Sequence, residues 1–369
     1  MNICCLIDSL GPGGAQRQMS LLVRELIARG HHVNLILYHD LRHFSEEVES
    51  SGVAPMAIRT RTKIGRVLAI RRAIRRTDPD CIVSFLSGPN LIGIAASLGL
   101  PRVPIIVSER SLSVLEAPRK YRLRFTAYSL ADVVVCNSQS QADFIGRRFS
   151  FLSRKLRVIR NSIDLNAFKP SASMHTSTKL RLIVGASVRP QKNTLRFLHG
   201  LHLLHEKHRG AFHVDWYGSR FYANGAPTKL SAFYHETLDL ARKLGSRKYF
   251  TLHDTRSNFN ELLRNYDAAC LPSISEGCPN FVCEAMATGL PVVASNVSDV
   301  PAILGSSRFV FDPYKPEDIA SKLGSLITMN ALERRQLGSE NRKRAEHLLH
   351  FRRFGDSFEQ CLLEATGAS

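Results

Sequence analysis

The chain has 369 residues, 44% hydrophobic and 22% charged, which suits a folded globular protein with two ordinary domains rather than one. No apolar run approaches the roughly 20 residues that span a bilayer, and "MNICCLIDSL" has no basic start and is interrupted by Asp8, so membrane-spanning and exported classes are set aside and the chain reads as cytoplasmic. The net charge is +18, with 24 Lys/Arg against 13 Asp/Glu in residues 1–168, and predicts an anionic partner: nucleic acid, acidic lipid or a phosphorylated substrate.

The elements alternate along the chain. "NICCLI", "HVNLILY", "CIVSFL", "PIIVSE", "DVVVCN" and "LRVIRN" are short runs rich in Val and Ile, separated by amphipathic stretches such as "AQRQMSLLVRELIARG". Strands fed by crossover helices imply a parallel sheet covered on both faces. A polar stretch at 165–179 reads as a linker. The alternation then restarts with "LRLIVGAS", "FHVDWYGS", "KYFTLHD", "YDAACLPS", "LPVVASN" and "SRFVFD", and the chain closes in charged helices over about 316–365. The fold class is therefore α/β, with two doubly wound parallel-sheet domains whose ligands lie beyond the carboxyl ends of the strands, in a cleft.

Several local patterns carry chemistry. The loop "GPGGAQR" follows the first strand and opens a helix, but Gln16 stands where a dinucleotide fingerprint needs a small residue. Gly13 and Gly14 would let a ligand approach the backbone closely, and Arg17 is either a cleft cation or a helix-surface one. "DPD" at Asp78–Asp80 lies between a basic helix and a strand, where a turn is the ordinary outcome, and no essential metal is expected. The eight cysteines include no C-x-x-C pair, and in apolar runs they act as small hydrophobes. "RTRTKIGRVLAIRRAIRRT" carries eight Lys/Arg between Arg59 and Arg76 without an acid, with Val67, Leu68, Ile70 and Ile74 as the expected buried stripe. Arg119, Lys120, Arg122 and Arg124 lie beside Tyr121 and Phe125. Basic and aromatic residues together suit an anionic membrane surface; a solvated helix face is the plain alternative.

In "SISEGCPNFVCEAMATGLPVVASN" seven residues separate Glu276 from Glu284. A helix starting near Pro279–Asn280 would point its free N–H groups, and the positive end of its dipole, at a phosphate. A carboxylate on either side of that seat can hold hydroxyls. A bare E-x7-E recurs by chance, but the longer segment "LPSISEGCPNFVCEAMATGLPVVASNVSDVP" resembles the hallmark of retaining GT-B glycosyltransferases of family 4, the group 1, E-x7-E type. "GPGGAQRQMSLLVRELIARGHHV", "ADVVVCNSQSQADFI", "VIRNSIDLNAF", "VGASVRPQKN" and "HDTRSNFNELLRNYDAACLPS" resemble other segments of that family, in its order.

The resemblance implies a metal-independent, retaining hexosyltransferase with no cofactor. It would move a hexose or N-acetylhexosamine from a nucleotide-sugar, foremost a UDP-sugar, to a hydroxyl of a lipid-linked or polysaccharide acceptor. The setting would be bacterial surface glycan or lipopolysaccharide synthesis, peripheral on the cytoplasmic face of the inner membrane. It implies an acceptor-binding domain over 1–168, a donor-binding domain over 169–348 and a terminal helix over 349–369 returning to the first domain. It places Glu284 on the ribose, Glu276 near the donor sugar, and the backbone of Gly277, Cys278, Pro279, Asn280 and Phe281 along the sugar and diphosphate. Gly13 and Gly14 would face the donor from the first domain. Lys192 matches the lysine that neutralises the leaving diphosphate. The partner arginine's usual place carries Ser187, and Arg189 is the candidate substitute. Where many members carry a histidine, this chain offers Ser108, Glu109 and Arg110: Glu109 would polarise the acceptor hydroxyl, or Arg110 would bind an acidic acceptor, or the two belong to a loop salt bridge. Two other readings remain open: an epimerase on the same fold, which needs no acceptor, and a nucleic-acid binder, which only the charge suggests.

Overall fold

The computed structural model describes all residues except 101–102, 111–117, 172–178, 220–231, 257 and 368–369. The chain divides into two compact units, Met1–Ser162 with Phe351–Ser369, and Ile163–His350.

The first unit holds strands β1 (Asn2–Leu6), β2 (His32–Leu37), β3 (Met56–Ala57), β4 (Cys81–Phe85), β5 (Ile105–Glu109), β6 (Val133–Cys136) and β7 (Leu156–Val158). They form one parallel sheet in the order β3-β2-β1-β4-β5-β6-β7. Helices α1 (Gly14–Ala28), α2 (Ser45–Glu49), α3 (Lys63–Thr77), α4 (Ser87–Ser97), α5 (Pro118–Ala127) and α6 (Gln139–Arg148) make the crossovers. Successive strand residues point to opposite faces, so β1 sends Ile3 and Cys5 into one core and Cys4 and Leu6 into the other. Both faces are therefore apolar, which is why these strands read as unbroken hydrophobic runs.

The second unit holds β8 (Leu180–Gly185), β9 (Phe212–Tyr217), β10 (Phe250–His253), β11 (Ala268–Leu271), β12 (Val292–Ser295) and β13 (Val310–Phe311), a parallel sheet in the order β10-β9-β8-β11-β12-β13. Its helices are α7 (Thr194–Lys207), α8 (Ala232–Lys243), α9 (Phe259–Leu263), α10 (Asn280–Ala287), α11 (Val300–Leu304), α12 (Pro316–Thr328) and α13 (Ala331–Leu348). The last helix, α14 (Phe351–Thr366), belongs to the first unit. Its Phe354, Phe358, Cys361 and Leu362 recur at helical spacing and join the core of β1 and β4. Arg29, the residue that caps the end of α1, ties to Asp356 at 2.7 Å and to Glu359 at 2.5 Å.

The charged helices expected over about 316–365 are α12, α13 and α14, and Asn330 starts α13 with a reciprocal capping box to Glu333. Three sequence expectations need correction. The linker expected over 165–179 is packed at its start, because Leu165 and Phe168 are buried in the second unit's core; residues 172–178 lie outside the described residues. Leu68, assigned to the buried stripe of α3, is 48% exposed. Tyr121, Phe125 and Arg124 of α5, read as surface groups, are buried, whereas Arg119, Lys120, Arg122 and Leu123 are exposed.

Candidate donor site at the switch point of the second sheet

In the second sheet the winding reverses between β8 and β11, which lie side by side. Loops leaving the carboxyl ends of two such strands diverge and open a crevice. The loop after β8 carries Ser187, Arg189 and Lys192; the loop after β11 carries Glu276 and leads into α10. The structure brings these loops into contact. Lys192 Nζ donates to Glu276 Oε1 at 2.5 Å, with both side chains mostly buried, and Ile274 N–H donates to the Gln191 carbonyl at 2.9 Å. Ser187 and Arg189 are half-buried. Arg189 makes no ion pair among the described residues, so its guanidinium is uncommitted.

Asn193, which follows the lysine, was missed in the sequence reading. It is 2% exposed and sits in the left-handed region at φ +64°. Its amide donates to the Pro272 carbonyl at 3.0 Å and the Pro313 carbonyl at 2.7 Å, tying the loops after β8, β11 and β13 together. Ser298, also left-handed at φ +50°, donates to the Gly277 carbonyl at 2.6 Å and fixes the turn before α10. Asn's tolerance of positive φ was the one signal available, and it names no partner.

Helix α10 begins at Asn280, with Pro279 at its cap position and no side-chain cap. The positive end of its dipole therefore lies at the turn that carries Glu276 and Gly277. Glu276 precedes the helix and Glu284 lies in its second turn, 4% exposed. Gly277 is buried in the turn, and Asn280 is half-buried at the first position of the helix. The side chains of Cys278 and Phe281 belong to the hydrophobic core. Phe281 packs so closely on β8 that a Cβ on Gly185 would lie 2.5 Å from its ring. What Gly277–Phe281 can offer a ligand is thus mainly backbone.

Further along the same sheet, Asp215 of β9 accepts from His253 Nε2 at 2.6 Å and from the Tyr266 hydroxyl at 3.0 Å, with His213 at 3.6 Å. Tyr217 stacks on His253 at 4.4 Å. Burial opposes ionisation of Asp215, but the hydrogen bonds from His213, His253 and Tyr266 outweigh it and bring the carboxyl down to about 2. A depressed carboxyl stabilises the fold above its ordinary value near 4 and loses that contribution as pH falls towards 2. Asp215→Asn is therefore expected to cost about 2 kcal/mol at pH 6, with the gap to the parent closing between pH 4 and pH 2 in urea titrations.

In the first sheet the winding reverses between β1 and β4, and the loop after β1 carries Gly13 and leads into Gly14 of α1, whereas Glu109 and Arg110 stand at the end of β5. Glu109 is 1% exposed at the end of β5, accepts from the Tyr128 hydroxyl at 2.9 Å and lies 3.4 Å from buried Arg124. It is half of a buried ion pair. Arg110 is also buried, over the Phe85 ring and bonded to Asn161. Gly13 caps α1 in an ordinary extended conformation. A Cβ there would meet Gln16 Oε1 at 2.0 Å, so its glycine keeps Gln16 on Asp8 (2.9 Å). Gly14 opens the helix and is exposed. Arg17 lies 5.5 Å from the Phe44 ring; burial lowers its pKa, and Glu47 opposes that. Asp78 is a left-handed helix cap, and Asp80 accepts the Asn2 N–H at 2.7 Å, which gives "DPD" its turn role. All eight cysteines are free and buried.

Family models match along most of the chain: Glycosyltransferase Family 4 over residues 12–167 and Glycosyl transferases group 1 over 178–329. The chain is a family 4 glycosyltransferase. Among relatives of this glycosyltransferase is the Campylobacter jejuni GalNAc-alpha-(1->4)-GalNAc-alpha-(1->3)-diNAcBac-PP-undecaprenol alpha-1,4-N-acetyl-D-galactosaminyltransferase, 29% identical over 143 residues, which are 36% of this chain and 39% of the relative. Another is the MMP alpha-(1->4)-mannosyltransferase of Mycolicibacterium hassiacum, 26% identical over 227 residues, 59% of this chain and 50% of the relative. The matched stretches thus span half or less of these relatives' lengths. The crystal structure of Anabaena HepE in complex with UDP-glucose superposes with a TM-score of 0.82 at 17% identity, over 98% of this chain and 99% of that one. The glycosyltransferase has the GT-B fold, two Rossmann-like parallel-sheet domains.

Proposed function

We propose that this glycosyltransferase moves a hexose or N-acetylhexosamine from a UDP-sugar to a hydroxyl of a lipid-linked or polysaccharide acceptor, with retention and without a metal, in bacterial surface glycan synthesis. The observation that carries the reading is the Lys192–Glu276 pair at the switch point, beside the uncapped start of α10. Lys192 and the positive end of the α10 dipole supply positive charge for a diphosphate. Glu276 shares Lys192 with the donor and faces the sugar, Glu284 takes the ribose hydroxyls, and Arg189 adds a second cation. In the transfer the bond from the anomeric carbon to the phosphate oxygen breaks. The bond to the acceptor oxygen forms on the same face, and the acceptor proton passes to the departing phosphate. Fixed cations around that phosphate lower the barrier because its charge grows in the transition state. The names of the Campylobacter relative and of the UDP-glucose complex support a lipid-linked acceptor and a uridine donor.

Calorimetric titration of UDP without metal tests the donor assignment. Micromolar-to-millimolar binding is expected, weakened about tenfold or more in Glu284→Ala, consistent with a lost charge-assisted hydrogen bond. Equal affinity in parent and variant would overturn it. An epimerase would convert the UDP-sugar with no acceptor present.

The first unit supports docking on an anionic membrane. Helices α3–α6 and the short turns 128–130 and 150–155 cover one face of the first sheet. Ile64, Leu68, Leu98, Leu123, Leu130 and Phe151 of this layer are all exposed, among Lys63, Arg72, Arg75, Arg119, Lys120, Arg122, Arg147 and Arg148. Exposed apolar groups set in a basic field fit acidic headgroups over a hydrocarbon boundary. No helix among the described residues is long and apolar enough to cross a membrane. Cosedimentation with phosphatidylglycerol vesicles is expected for the parent and not with phosphatidylcholine alone. Ile64→Glu/Leu123→Glu is expected to lower the bound fraction at least fivefold, and unchanged binding would remove this face from the proposal.

A further inference from the structure

A second basic recess lies at the opposite end of the second sheet. A cavity of about 320 Å³ is bordered by Tyr266 and Asp267 before β11, Leu290 and Pro291 before β12, and the first half of α13. These are the amino ends of the strands, whereas Lys192 and Glu276 follow carboxyl ends, so the cavity is a separate site on the same unit.

Its walls are unusually rich in arginine. Arg264, Arg334, Arg335 and Arg342 line it against a single carboxylate, Asp267. That carboxylate is engaged, accepting the Arg181 N–H at 2.7 Å. Arg342 is held by the Phe168 carbonyl at 2.6 Å, the Ala287 carbonyl at 2.5 Å and Glu346 at 2.6 Å. Arg264 is held by the Lys169 and Ala167 carbonyls at 3.1 and 3.2 Å. Arg334 is half-buried and gives one N–H to the Met329 carbonyl, which orients its fork; Arg335 is exposed and makes no ion pair among the described residues. Close behind it α13 packs on the turn after α10: a Cβ on Gly338 would lie 2.0 Å from the carbonyl of Gly289, which lines the cavity. Four guanidinium groups, three of them oriented by backbone carbonyls, crowd one small cavity, with two carboxylates, Asp267 and Glu346, beside them. Guanidinium forks match phosphate oxygens in pairs, and the volume is that of a small-molecule site.

We propose that this recess binds a small multiply charged phosphate compound, of the size of a diphosphate or a sugar phosphate, independently of the nucleotide-sugar. Arg334 and Arg335 contact the phosphate oxygens while Arg264 and Arg342 set the wall and the field.

The test uses the full chain, with inorganic pyrophosphate as the probe in calorimetry at low salt. Binding is expected to persist in the presence of saturating UDP and in Lys192→Ala. It is expected to weaken at least tenfold in Arg334→Ala/Arg335→Ala, whose circular dichroism and melting curve verify folding, and to be unchanged in the control Arg242→Ala/Lys243→Ala on α8. Loss of the signal with UDP or in Lys192→Ala would place the pyrophosphate in the donor site and overturn the proposal without touching the donor assignment. Equal weakening in the α8 control would reduce it to general charge, and absence of binding in the parent would also overturn it. A failure of UDP to bind while pyrophosphate binds in the expected pattern would count against the donor reading alone.

Discussion

Replacing Lys192 by alanine is expected to lower kcat two to three orders of magnitude while UDP affinity changes only a few fold. The ammonium is fixed before any donor arrives: Glu276 holds it at 2.5 Å, and Asn193, the next residue, is clamped by two carbonyls. A cation positioned in advance acts most strongly on the state in which the phosphate carries most charge, which is the transition state rather than the bound donor. Removing one such donor typically costs 10²–10³ in turnover. Lys192→Arg is expected to recover part of that loss, because it keeps the charge but not the compact ammonium beside Glu276. Single-turnover transfer from the UDP-sugar that a donor panel selects is the measurement. Unchanged kcat, with a raised KM alone, would make Lys192 a ground-state binding residue and sink its assigned role.

Glu109→Ala is expected to destabilise the first unit by about 3–5 kcal/mol, the usual consequence of stripping one partner from a buried ion pair. The variant leaves Arg124, itself buried, without this carboxylate, and the Tyr128 hydroxyl without its acceptor. Burial and the neighbouring carboxylate push the Tyr128 hydroxyl far above its ordinary pKa, so the phenol stays protonated and keeps donating. The double variant Glu109→Leu/Arg124→Met removes both charges and is expected to restore most of the loss. Urea titration followed through the first unit's transition separates the outcomes. A variant of parental stability with collapsed turnover would return Glu109 to the reacting acceptor.

The legible and illegible parts of the sequence differ in the range of the interactions behind them. The strands were readable because each parallel strand is buried on two faces and must be continuously apolar, as in "CIVSF" and "VVVC". β3 was not, since two residues, Met56 and Ala57, carry no period. Glu276 stood out as a charged residue in a loop that follows a strand, where a doubly wound sheet places its ligands, with Glu284 in the helix after it, and Lys192 through the resemblance of its loop to the family's. Asn193 and Ser298 did not, because their partners are backbone carbonyls up to 120 residues away. Arg124 misled for a related reason. Its basic neighbours Arg122 and Lys120 are on the surface, and only the register of α5 against β5 turns Arg124 inward to Glu109.

The return of α14 to the first unit has a consequence for how the molecule is made. Phe358 touches the Phe85 ring at 5.7 Å, and the pocket it fills on β1 and β4 stays open until residues 351–366 have been synthesised. The whole second unit, Ile163–His350, lies between. At 5–20 residues per second that interval lasts roughly 10–40 s. The first unit to emerge from the ribosome is therefore the last to close its core. Until then the apolar face around Phe85 lacks the helix that covers it.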